Sequence, residues 1–230
     1  MISRRAPKSD MALSEPWYHD FSVLGFPTAQ KGGIFPANQK AKEAPLFHLI
    51  DEALRRTPGD VIELFCADSL FGIYALQHGA KSLLGIDTGY AQAGGVPIHL
   101  QQARIAADAL GVGAKATFED RDVWNVEGVY DIGICAGGLY HLTDPERFLA
   151  KLHDHIRGSL VVQTVVSLEN TDANYFVASP SYRPHGSCCS AAWMIAAIER
   201  AGWKILEQSQ NELPGNPELY NRGSIYLLLQ

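Results

Sequence analysis

The chain has 230 residues, 47% of them hydrophobic, and a net charge of −6. That length and balance support one well-covered core and exclude a disordered or fibrous chain. Lysine and arginine are scattered, so the basic patch that grips a phosphate backbone is missing, and a small-molecule partner is favoured over nucleic acid.

Met1 to Lys8 are positively charged, but no apolar run follows, so no signal peptide is expected, and no stretch reaches membrane-spanning length. Cys66, Cys135, Cys188 and Cys189 have neither zinc-site spacing nor the density of a disulfide scaffold, which favours a cytoplasmic protein. The histidines show no spacing of a metal cage, and no required metal is expected.

Residues 1–14 read as a polar tail. Trp17, Tyr18, Phe21, Phe26 and Phe35 belong to an aromatic stretch broken by glycine and proline, read as an irregular lid. Residues 1–44 are therefore expected to form tail and substrate lid, and residues 45–230 the main domain. Helical spacing of Leu46, Leu49, Ile50, Ala53 and Leu54 predicts a helix over 39–56. Residues 61–66 then form a strand, a helix pattern runs through Leu76, and residues 82–87 form a second strand. A helix over 98–110, strands over 115–119 and 130–135, a helix over 144–156 and a strand over 159–166 continue the alternation. Apolar runs separated by single helices predict a Rossmann-like, doubly wound α/β sheet. The end departs from this: a helix over 191–201, a strand over 203–206, a loop, and a strand over 224–229 with no helix before it predict an antiparallel pair.

In such a sheet the ligand lies beyond the carboxyl ends of the strands, so the loop after the first strand, residues 63–72, is where to look. Ala67 and Ser69 are small enough for close backbone approach to a ligand, although an ordinary strand-to-helix turn is the alternative. Asp87 closes the second strand about 20 residues on, followed by Thr88, where a carboxylate accepts hydrogen bonds from ribose hydroxyls. A nucleoside cofactor follows. The loop lacks the three glycines that admit a pyrophosphate, and with the antiparallel end this favours S-adenosylmethionine over nicotinamide.

His141 directly follows the fourth strand beside Tyr140 and is the candidate general base, since imidazole titrates near neutrality. The alternative is that it orients the next helix. Acceptor-facing candidates are Tyr18, His19 and Phe35 in the lid, with Tyr175, Arg183 and His185 on the long loop after the fifth strand. Ser187 and Ser190 read as helix caps.

Val61-Ile62-Glu63-Leu64, Gly85-Ile86-Asp87, Asp120-Arg121-Asp122-Val123 and Ala201-Gly202-Trp203 resemble successive motifs of class I S-adenosylmethionine-dependent methyltransferases. Gly137 to Pro145 is similar to the Leu-Tyr-His segment of the tRNA wobble-uridine carboxymethyltransferase group, as is Trp17-Tyr18-His19. The resemblance implies S-adenosylmethionine as donor. Glu63 and the backbone of Ala67, Asp68 and Ser69 would face its methionine part, Asp87 its ribose, Asp122 and Val123 its adenine, and Ala136 and Gly137 its sulfonium. The family's glycine-rich motif has become Phe65, Ala67 and Ser69 here. Methyl transfer to an oxygen or nitrogen of a small metabolite is the expected function. A tRNA acceptor, a non-catalytic binding module and a nicotinamide dehydrogenase are the alternatives, and a homodimer is left open.

Overall fold

The computed structural model describes residues 13–88, 97–178 and 186–230. Arg183 and His185 lie outside the described residues. The first long helix, α1 (Phe35–Arg56), begins earlier than the expected residue 39, because Pro36 suits a first helical turn, where the missing N–H has no intrahelical partner to lose. The helix is continuous through residues 44 and 45.

Pro45 sits inside α1, and without an N–H it leaves the Ala41 carbonyl short of its usual donor. Asn211 Nδ2 donates to that carbonyl at 2.7 Å, and the Tyr226 hydroxyl donates at 3.4 Å. The C-terminal strands thus anchor α1 at the residue next to Lys42.

β1 (Asp60–Leu64), α2 (Leu70–Gln77), β2 (Ser82–Asp87), α3 (Ile98–Ala109), β3 (Ala116–Asp120), β4 (Tyr130–Ala136), α4 (Pro145–Lys151) and β5 (Ile156–Val166) follow in turn. Two short strands, β6 (Phe176–Val177) and β7 (Cys188–Cys189), pair as a separate antiparallel ribbon before α5 (Ala191–Arg200), β8 (Ile205–Glu212) and β9 (Gly223–Leu229). The main sheet has the order β3-β2-β1-β4-β5-β9-β8. β1 to β5 are parallel, and β9 runs antiparallel to both of its neighbours.

Side chains alternate between two cores, as the pleat requires. Val61, Ile132, Tyr226 and Leu228 pack under α1 and α2, whereas Ile62, Leu64, Leu227 and Leu229 pack under α4 and α5. Both faces are covered, which is why these strands read as unbroken apolar runs.

Two boundaries differ from expectation. β8 extends to Glu212 rather than ending at 206, because its polar residues pair along the whole of β9 at the sheet edge, where side chains face water. Trp203 precedes the strand and is buried against α4, its Nε1 donating to the Leu149 carbonyl at 2.9 Å. The expected helix over 144–156 closes early: α4 ends at Lys151, a short 3-10 turn follows, and Ile156 already belongs to β5. Among the described residues, no helix is long and apolar enough to cross a membrane.

Candidate active site

The sheet delivers the ends of β1, β2 and β4 to one crevice. Beyond β1, Phe65, Ala67 and Ser69 all adopt left-handed backbone, with φ of 56°, 46° and 61°. This region favours glycine, and a side-chain-bearing residue there costs roughly 1 kcal/mol or more. The loop therefore keeps the path of a glycine-rich turn without its glycines. Phe65 turns its ring toward the α4 face, packing on Phe148 and filling the space that a Cβ on Gly138 would need.

Glu63 explains what holds the turn. Its buried carboxyl accepts from the Ser69 hydroxyl and from the Gly72 N–H at 3.1 Å, tying the end of β1 to the start of α2. Burial pushes its pKa up to about 8, with the Ser69 and Gly72 hydrogen bonds opposing. Because the folded value lies above the unfolded one, folding takes up a proton: the contribution is full below the ordinary carboxyl range and is lost as pH rises through about 8. Relative to Glu63→Gln, which carries no titrating proton, the wild type should weaken by at most about 1.4 kcal/mol per pH unit across that window. Urea melts from pH 5 to 9 measure it, and parallel stability curves for the two proteins refute it.

Asp87 ends β2 and accepts the Ala67 N–H at 2.8 Å through Oδ2. Its Oδ1 has no donor among the described residues. Thr88 is exposed beside it. At the end of β3, Asp122 caps a short turn by accepting the Trp124 N–H at 2.9 Å, and Val123 is buried beneath. Ala136 closes β4, and Gly137 (φ 81°) donates its N–H to the Gln163 carbonyl at 2.9 Å.

The segment expected to form a lid is fastened to the body of the fold. Trp17 and Phe21 are part of the core under α1, and Asp20 Oδ1 accepts from the backbone of Ser22 and Thr28. Gln39 on α1 accepts the Asp20 N–H at 2.8 Å and returns a donor to the Asp20 carbonyl at 2.7 Å. Asp68, fully buried in the β1 loop, holds residue 19 twice: it accepts the His19 backbone N–H at 2.8 Å and pairs with His19 Nδ1 at 2.5 Å. His19 Nε2 has no partner among the described residues. The Tyr18 ring meets those of His19 and Phe35 at 4.8 and 5.0 Å. Burial raises the Tyr18 hydroxyl above its ordinary range, and Tyr140, Asp68 and Asp87 add to the rise.

Tyr140 and His141 stand side by side on a short turn after β4, their rings 4.1 Å apart. Burial raises the Tyr140 hydroxyl to about 12. Burial also lowers the His141 imidazole, with Asp87 opposing, which favours the neutral ring. Ser187 is not a helix cap: its N–H donates to the Tyr140 carbonyl and its hydroxyl to the Leu142 carbonyl, both at 2.6 Å. Ser190 caps α5 by accepting the Trp193 N–H at 2.9 Å. Tyr175 lies with the β6–β7 ribbon, where its carbonyl accepts the Ser190 N–H at 3.1 Å.

Three residues escape the sequence reading. Lys42 of α1 and Gln163 of β5 both approach Gly137. The His99 imidazole, at the start of α3, is lowered by burial while Asp87 and Asp68 pull the other way, and its buried Nε2 has no partner among the described residues. Only the proline before its helix marked that position.

Three features of this crevice accord with an adenosyl ligand: among the described residues one Asp87 oxygen at the end of β2 has no donor, the turn beside it keeps a glycine-like path, and Gly137 places no side chain after β4. The strand order with its inverted β9 is the Rossmann-like, doubly wound arrangement of a methyltransferase fold. A family model described as a methyltransferase domain matches residues 38–208. The chain belongs to that family, whose donor is S-adenosylmethionine.

Solved structures share the fold. The N-terminal domain of EvdMO1 with S-adenosylhomocysteine bound is 17% identical, with a TM-score of 0.63 over 96% of this chain and 93% of that one. The 1,6-didemethyltoxoflavin-N1-methyltransferase of Burkholderia thailandensis, with bound 1,6-didemethyltoxoflavin and S-adenosylhomocysteine, is 15% identical, with a TM-score of 0.62 over 83% and 79%. The [4+2]-cyclase SpnF is 16% identical, with a TM-score of 0.61 over 80% of each chain. Fold alone therefore does not fix the reaction. No curated protein matches the chain in sequence.

Proposed function

We propose that this methyltransferase acts on an oxygen or nitrogen of a small metabolite enclosed beneath residues 17–35. The observation that carries the reading is the Asp68–His19 clamp, which fastens the aromatic lid directly to the donor loop. A lid held this close suits a compact acceptor, and a net charge of −6 offers little to an RNA backbone.

When bound, the donor supplies an electrophilic methyl group on a sulfonium. The protein's part is to position the reactants, exclude water and take a proton from the acceptor. In this reading Asp87 Oδ1 would accept from the ribose, Asp122 and Val123 would border the adenine, and Ala136 and Gly137 would stand beside the sulfonium. The proton passes from the acceptor to His19 Nε2. Asp68 orients that ring by taking Nδ1, whereas His141 makes no side-chain hydrogen bond among the described residues. Tyr18, Phe35 and Tyr140 wall the acceptor, with His141 at its edge. Incubation with methyl-labelled S-adenosylmethionine and a metabolite extract tests the assignment. Label should enter a small product; label found in tRNA, or in nothing, overturns it.

A further inference from the structure

Lys42 and Gln163 converge on one point above the end of β4. Were Gly137 to carry a Cβ, that atom would lie 3.4 Å from Lys42 Nζ and 3.6 Å from Gln163 Oε1. The two come from opposite parts of the chain, one from α1 and one from β5, and among the described residues neither side chain end is satisfied. Lys42 makes no ion pair or hydrogen bond among the described residues, although it stands deep enough that burial lowers its ammonium to about 8. Gln163 is fully buried, and its amide is fixed because Nε2 donates to the Ser224 hydroxyl at 2.9 Å. Its Oε1 has no donor among the described residues.

Among the described residues, a half-buried cation with no anion and a buried acceptor with no donor each lack the partner that such groups normally have. An α-amino acid carries both missing partners on one carbon. Of the carboxylates in this region, Asp68 is committed to residue 19 and Asp87 Oδ2 to the Ala67 N–H, and among the described residues neither pairs with Lys42; burial alone displaces Lys42, with no charged neighbour contributing.

We propose that Lys42 and Gln163 hold the amino-acid end of the methyl donor, Lys42 pairing with its carboxylate and Gln163 Oε1 accepting from its ammonium. This rests on the donor assignment. It gives α1 a binding role beyond covering the sheet, and it gives the bond from Asn211 to Ala41 the task of fixing where Lys42 stands.

Calorimetry on the full chain tests this with three ligands: S-adenosylhomocysteine, its decarboxylated analogue, and methylthioadenosine, which lacks the amino acid altogether. Lys42→Met should weaken S-adenosylhomocysteine about tenfold or more, as loss of a charged hydrogen bond implies, while both truncated ligands bind within about twofold of wild type. Lys42→Arg should recover part of the loss. Equal weakening of all three ligands, or unchanged S-adenosylhomocysteine binding, overturns the proposal. Wild-type protein that binds none of the three overturns the donor assignment instead, so the two failures are distinct.

Discussion

Replacing Asp87 with alanine should weaken S-adenosylhomocysteine binding about 100-fold, because two kinds of hydrogen bond to one carboxylate vanish together. Oδ2 loses the Ala67 N–H, which it now accepts at 2.8 Å, and Oδ1 loses the ribose hydroxyl. Hydrogen bonds to a charged group contribute about 1.5–3 kcal/mol each, and about 2.7 kcal/mol corresponds to 100-fold. The Ala67 bond matters beyond its own strength, since it restrains a turn whose residues 65, 67 and 69 all lie in left-handed backbone. Asp87→Asn keeps an oxygen for Ala67 but loses the charge, and a smaller loss of about tenfold is expected. Methylthioadenosine retains the ribose and should fall by the same factors, unlike its response to the Lys42 variants. Calorimetry at one pH decides it: affinity within threefold of wild type for Asp87→Ala would remove the ribose contact.

The second large effect concerns the lid. His19→Ala should lower the rate of methyl transfer at saturating donor by about 10²–10⁴-fold, the range for loss of a general base, with S-adenosylhomocysteine affinity unchanged. The labelled product found in the metabolite extract serves as the assay. Added imidazole should restore part of the rate to His19→Ala, because the ring lost from the clamp leaves a space bounded by Tyr18, Phe71 and Asp68. A purely structural latch would give no such rescue. His141→Gln should cost less than about tenfold; if instead it is His141→Ala that loses the rate and regains it with imidazole, the base is His141 and His19 is a lid contact.

The two imidazoles show how much of the site could be read in advance. His141 was legible because it directly follows a strand of obvious pattern, and strand ends are where ligands bind in this class of sheet. His19 was legible only as part of an aromatic segment, since its partner Asp68 lies 49 residues away in the chain. The Ser69 and Glu63 pair could be suspected from their place at the end of β1. Ser187 was misread as a cap, because its hydroxyl bonds to the Leu142 carbonyl of a turn 45 residues earlier in the chain. β8 was cut short for a related reason: Glu207 to Glu212 carry no apolar periodicity, and their strand conformation comes from the backbone pairing that β9 provides.

The alternation of apolar runs with helices, the acid closing the second strand and the helix-free approach to the last strand are local patterns, so the doubly wound sheet and the carboxylate at the end of its second strand follow from the order of residues. What needed three dimensions was every contact made across the crevice. A glycine-like turn built without glycine is imposed by Glu63, Asp87 and the surrounding packing. Lys42 reaches Gly137 because α1 crosses the sheet, held at Ala41 by a side chain 170 residues distant. Short-range periodicity records which face of an element is buried; it carries no information about which remote side chains meet over the strand ends, because crossovers and packing bring those together only once the sheet has closed.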